Sequence, residues 1–435
     1  MTSRDLVWLG TTNPIQNPGG GHDMSLATSA AHSLPLRVEQ PCSKETCSGE
    51  VVAIETRYAR EIYFRCAPVL SDHQDVDFEY QVRRFYQCLP RLLQQAGSDT
   101  SHVILERVFF EDFAGDMDTF QRVRAEAYYQ AGIPEEELPA TTYIQQPPCR
   151  RTQKLEMQIY AVAPKTPGSV SVRTIQDRAT GTTAKLLEIA GCQHLYIADI
   201  NGVSNDKQDP GTFRQQSDRM FEKCAALLAQ HGIRFPDVLR TWCYLYDIDN
   251  TYADFNLSRN AFFRREGVQR LPASTGIEAT LWPLQAQCSM DLYAVLNPEE
   301  ATIELMHTPT LNEAAEYGSS FARGMKVDLP DKTMLFISGT ASIDEYGVTV
   351  HVGDVRKQME RMLLNIRELL QAQGATFANL TQAASFLKRA EYLELYELVL
   401  EEWGISKLPN TFVEAGVCRP ELLCEMEAIA VIPKH

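Results

Sequence analysis

The stretch QMERMLLNIRELLQAQG (358–374) begins with glutamine and ends with glycine. Met359, Met362, Leu363, Ile366, Leu369 and Leu370 recur at helical spacing, which predicts an amphipathic helix buried along one face. The closing Gly374 suits the left-handed turn that ends many helices. The same pattern stands twice earlier in the chain, without gaps, as QVRRFYQCLPRLLQQAG (81–97) and QSDRMFEKCAALLAQHG (216–232). A Leu-Leu pair precedes the end of each, at 92–93, 227–228 and 369–370. Three occurrences point to a repeated unit.

The surroundings repeat as well. Before each helix runs a β-type segment: EIYFRCAP (61–68), HLYIADIN (194–201) or MLFISGTAS (334–342). A second β-type segment follows, then a second helix: DTFQRVRAEAYYQ (118–130), YADFNLSRNAFFRR (252–265) or EYLELYELVLEEW (391–403). A Pro-containing loop (LPATTY, LPASTG or LPNTFV) leads to a last alternating strand. The expected organisation is an N-terminal extension at 1–49 and three α/β (α+β) modules at 50–168, 169–299 and 300–435. APKTPG (163–168) and NPEEA (297–301) read as linkers. The extension holds LVWLG, a short strand candidate, and PGGGHD, which lacks the Gly-Lys-Ser/Thr of a phosphate loop.

Bulk properties narrow the function. The formal net charge of the 435 residues is −16, which repels phosphate backbones, so nucleic acid is not an expected partner. No apolar run reaches the length of a membrane span, and MTSRDLVWLGTTNPIQ has no signal-like core, so a cytoplasmic location is expected. Eleven scattered cysteines suit reduced thiols. Cys42 and Cys47 lack a matching ligand pair, and the nine histidines show no metal-ligand spacing, so no metal is expected.

The chemistry-bearing residues cluster where the modules end. CRRTQKLEM (149–157) and CRPELLCEM (418–426) share Cys-Arg, five residues and Glu-Met, whereas the middle module reads WPLQAQCSM (282–290). Strand alternation puts Glu425 and Glu427 on one face. A carboxyl desolvated in a cleft has a raised pKa and can keep its proton near neutral pH. Such a group can protonate the carbon of an enamine or enol ether. Arg419 or Arg150 would bind a substrate carboxylate in a bidentate fork, beside Cys418 or Cys149. Equally, Arg419 and Glu425 can form a rim salt bridge. Ser338-Gly339-Thr340 after a buried strand reads either as a turn or as backbone donors for a carbonyl.

FISGTAS, the Gln-to-Gly helices and the closing Glu-Met-Glu-Ala-Ile-Ala-Val strand resemble the RidA/YjgF superfamily. The resemblance implies a chorismate-mutase-like fold, a pseudo-trimer within one chain (alone or assembled further) and ligand clefts between modules. It places the family glutamate at Glu156 and Glu425, and at Ser289 in the middle module, whose site therefore reads as degraded. The family's loop arginine is replaced by Thr141, Ser274 and Thr411. SGTASI, HVGD (351–354) and the Cys-Arg-x5-Glu ending resemble the chorismatase branch, as do Arg240, Trp242, Tyr244 and Arg259 of the second module. The implied activity is cofactor-free hydrolysis or deamination of a small carboxylated imine or enamine. The alternatives are chorismatase-like hydrolysis of an enolpyruvyl ether and a non-catalytic metabolite-binding protein.

Overall fold

A computed structural model of the chain describes residues 35–38, 47–68, 76–177, 181–204, 209–297, 300–314, 320–405 and 407–434. LVWLG, PGGGHD and Cys42 lie outside them. The first module comprises β1 (Leu36–Val38), β2 (Cys47–Glu55), β3 (Ala59–Pro68), α1 (Phe78–Gln95), β4 (Val103–Phe110), α2 (Met117–Gln130), β5 (Ala140–Gln145) and β6 (Leu155–Pro164). The second comprises β7 (Val170–Asp177), β8 (Thr182–Ile189), β9 (Cys192–Asn201), α3 (Phe213–Gln230), β10 (Val238–Leu245), α4 (Ile248–Glu266), β11 (Ala273–Glu278), β12 (Thr280–Leu281) and β13 (Cys288–Val295). The third comprises β14 (Thr302–Leu305), β15 (Gly324–Asp328), β16 (Lys332–Ala341), α5 (Val355–Gln371), β17 (Leu380–Leu387), α6 (Leu393–Glu402), β18 (Asn410–Glu414) and β19 (Cys424–Pro433). Residues read from sequence as extension thus supply β1 and the start of β2.

The strand orders are the same three times over. They run β1-β2-β3-β6-β4-β5, then β7-β8-β9-β13-β10-β11, then β14-β15-β16-β19-β17-β18. In each sheet only the last pair is parallel: β4 with β5, β10 with β11, β17 with β18. A helix separates those two strands, as a parallel connection requires.

The repeated glutamine has a structural reason. Gln81, Gln216 and Gln358 are fully buried at the starts of α1, α3 and α5. Each side-chain amide donates to the carbonyl of Thr152, Gln285 or Glu421. Each side-chain oxygen accepts from the backbone N–H of Lys154, Gln287 or Leu423. One residue therefore clamps the loop that enters the last strand in every module. Gly97, Gly232 and Gly374 have φ of +75°, +72° and +71°, the left-handed conformation expected at these helix ends.

The modules close into a ring. β12 of the second module pairs with Ile144 and Gln145 of β5. Val417 of the third pairs with Ile277 of β11, and Pro148 of the first pairs with Val413 of β18. Each last parallel strand thus meets the chain just beyond its counterpart in the next module. Helices cover the outer faces, as separate apolar cores under α1–α2 and α3–α4. The inner faces meet at Tyr63, Tyr160, Tyr196, Tyr293 and Phe336, whose successive ring centroids lie 4.8–5.7 Å apart. The expected arrangement, three modules with sheets at the centre and helices outside, is the one observed.

Candidate active site

The seam between the second and third modules is stitched by backbone. Ala322 N–H donates to Pro272 O (2.9 Å), and Glu278 N–H donates to Gly416 O (3.1 Å). Ser338 Oγ accepts from Ser274 N–H (2.9 Å) and donates to Ala322 O (2.6 Å). Gly339 N–H donates to Thr275 Oγ1 (3.0 Å). Ser338-Gly339-Thr340 is therefore not a free turn. Its serine and glycine dock on β11, and Thr340 Oγ1 donates back to Ser338 O (2.8 Å).

Glu425 opens onto this seam from β19. A β-bulge in the β16–β19 pairing, between Ile337 and Thr340, lifts Gly339 beside it. A Cβ at position 339 would overlap Glu425 Oε1, so the glycine leaves the space the carboxyl occupies. Glu425 is 4% exposed and forms no ion pair among the described residues. Burial, with Glu427 nearby, pushes its carboxyl up to about 8, against the pull of Arg240 and Arg323. The group holds a proton at neutral pH.

Arg240 is the guanidinium of this seam. It is 1% exposed on β10. One nitrogen, Nη2, donates to Thr275 Oγ1 (2.6 Å) and to Glu427 Oε2 (2.7 Å), while Nη1 is buried without a hydrogen-bond partner. Burial lowers its pKa to about 10 although Glu427 opposes this, and Arg107 adds to the lowering. Arg107 shares Glu427 at 3.0 Å, and both guanidiniums lie over the Trp242 ring, at 4.9 and 4.7 Å from its centroid. Arg259 lies over Phe255 and donates to Asn256 Oδ1 (2.6 Å). Its buried Nε has no partner, and the following residue, Asn260, accepts from Ser320 of the third module.

The endoribonuclease L-PSP family model matches residues 190–296 and 320–432, the second and third modules. The chain belongs to this family, of the RidA/YjgF type. A RutC family protein of Pyrococcus abyssi is 30% identical over 97 residues, covering 22% of this chain and 76% of the relative. Its counterpart in Pyrococcus horikoshii is 31% identical over 97 residues, covering 22% and 77%. Among solved structures, a chorismatase shares the fold at 18% identity and a TM-score of 0.55, covering 76% of this chain and 93% of that one.

Within the family pattern the three modules differ. In the first, β3 pairs with β6 in continuous register from Ala59↔Pro164 to Cys66↔Met157, with no bulge. Arg65 stands where the third module has Ser338-Gly339 and forms a buried ion pair with Glu156. Burial raises the Glu156 carboxyl above its ordinary range, and the Arg65 charge works against that. The two family glutamates are thus not equivalent, since one is neutralised by its own module and the other is not.

The Cys-Arg pairs also part company. Arg150 is exposed and pairs with Glu397, and Cys149 is buried, its N–H donating to Phe412 O (2.9 Å). Arg419 donates to Gly347 O (2.8 Å) and Thr349 Oγ1 (3.3 Å). The arginines acting on Glu425 are Arg240 and Arg323 instead. Cys418 packs against the second module's core, and burial next to Glu425 pushes its thiol up to about 12. Tyr244 is buried, its hydroxyl donates to Asp291 Oδ2 (3.4 Å), and it lies within the field of Arg107, Glu427 and Arg240. Arg65, Thr275 and Arg323 carry no motif by which sequence could single them out. Among the described residues, no group of three or more His, Cys, Asp or Glu is placed to hold a metal. No described helix is long and apolar enough to cross a membrane.

Proposed function

We propose that the chain is a cofactor-free hydrolase or deaminase of a small carboxylated imine or enamine, acting at the seam of the second and third modules. One observation carries this reading: a proton-bearing buried carboxyl, Glu425, beside a buried guanidinium, Arg240, with an uncommitted nitrogen. Arg240 binds the substrate carboxylate. Glu425 gives its proton to the enamine carbon, forming an iminium ion, and water adds to that ion. Ammonia leaves as the 2-oxo acid forms. Arg240 here does what the loop arginine does in the family, from a neighbouring strand.

A second reading applies the same proton to the methylene of an enolpyruvyl ether, releasing pyruvate. Fold likeness to a chorismatase favours it. Incubation with enzymatically generated imino acids, followed by ammonia release, and with chorismate, followed by pyruvate release, distinguishes the two. Turnover of neither leaves a metabolite-binding protein and removes the catalytic reading.

A further inference from the structure

The middle module has Ser289 at the glutamate position, yet its seam with the first module holds a carboxyl. On β13, β9 pairs Asn201↔Ser289, Ile200↔Met290 and Ile197↔Leu292. On β19, β16 pairs Ala341↔Glu425, Thr340↔Met426 and Ile337↔Ala428. Both pairings are bulged at the same place. Asp199 therefore stands where the third module has Gly339, and Ser289 stands where it has Glu425. A side chain at the glycine position grows into the space of the glutamate carboxyl. Glycine with glutamate has become aspartate with serine, and the carboxyl enters from the opposite strand.

Asp199 is built to stay there. Its φ is +54°, a conformation aspartate tolerates better than most residues, and its N–H donates to Asp291 Oδ1 (2.8 Å). Asp199 Oδ1 and Ser289 Oγ are both buried without a hydrogen-bond partner of normal geometry. Burial, with Asp291 alongside, holds the Asp199 carboxyl well above the usual range, and the nearby Ser289 hydroxyl only opposes this. This environment favours the protonated carboxyl, which can donate.

A cavity of ≈500 Å³ opens in front of it, lined by Asp199, Thr141, Tyr143, Trp282, Lys223 and Arg124 among others. That is ample for a small molecule. Arg124 is already neutralised by Glu106 at 2.6 Å. Lys223 Nζ has a carbonyl partner, Val203 O at 3.0 Å, and no ion pair among the described residues. Among the described residues the cavity thus offers one cation without an ion pair, two carboxyls without one (the buried Asp199 and the exposed Glu135), and two aromatic walls.

We propose that this first seam is a second ligand site, which binds a small planar monocarboxylate with Lys223 on its carboxylate and Asp199 donating to an acceptor atom. The site lies on the other side of the second module from Glu425 and stands or falls separately from the reading given there. Nicotinate, a planar carboxylate with a ring acceptor, is a suitable probe in calorimetric titration of the full chain. Wild type and Asp199→Asn, which keeps a donor, are expected to bind it alike. Asp199→Gly and Lys223→Met should each weaken binding about tenfold or more. Thermal melts of each variant check that it is folded. Undiminished binding in folded Asp199→Gly and Lys223→Met, or no binding by wild type at millimolar nicotinate, overturns the proposal.

Discussion

Replacing Glu425 by Gln removes the only titration at that position and should change how stability depends on pH. The carboxyl ionises near its ordinary 4.5 in the unfolded chain and at about 8 in the folded one. Below the unfolded value both states are protonated and the contribution to stability is complete. Between the two values the unfolded chain has released the proton and the folded chain has kept it. Stability then falls as pH rises, by about 1.4 kcal/mol for each pH unit, and levels off above the folded value. Wild type should therefore lose about 2–3 kcal/mol relative to Glu425→Gln between pH 6 and pH 9. Urea denaturation followed by tryptophan fluorescence at both pH values measures the difference directly. A variant whose advantage is the same at pH 6 and pH 9 would show that Glu425 ionises normally, and the acid assigned to this seam would be lost.

Other perturbations probe the frame. Lys332 and Glu61 form an ion pair between the third and first modules, with side chains 1% and 0% exposed. Lys332→Met or Glu61→Leu alone should cost about 3–5 kcal/mol, measured by chemical denaturation, and the double variant much less. Gln358→Leu strips the clamp from Glu421 O and Leu423 N–H, and should cost about 1–3 kcal/mol by the same measurement for each buried group left unpaired. Gly339→Ala puts a methyl where Glu425 Oε1 lies, and should lower turnover of any substrate of this seam far more than it lowers the melting temperature.

The frame was largely legible in the amino-acid sequence because its signals are local. A buried glutamine, a helical stripe and a left-handed glycine recur at each repeat, and each has one structural cause. The seams were less legible because they depend on register between distant strands. EIYFRCAP is one residue shorter than MLFISGTAS across the bulge, and that absence is what brings Arg65 onto Glu156. Nearness in sequence pointed to Arg419 as the partner of Glu425, whereas the fold supplies Arg240 from another module, nearly two hundred residues away. Asp199 was within reach, since HLYIADIN and MLFISGTA align without gaps and place it on Gly339. Its meaning depends on a contact no alignment displays, the glutamate carboxyl lying in the space of the missing side chain.

The proposed function puts the reacting acid at one seam, between the second and third modules. Its most direct test is turnover by Glu425→Gln beside Glu156→Gln, on whichever of the imino acid and chorismate substrates the wild type consumes. Placement of the acid on Glu425 predicts that Glu425→Gln abolishes product release and that folded Glu156→Gln retains it, because Glu156 is already committed to Arg65. Product release that survives in Glu425→Gln but disappears in Glu156→Gln would contradict it.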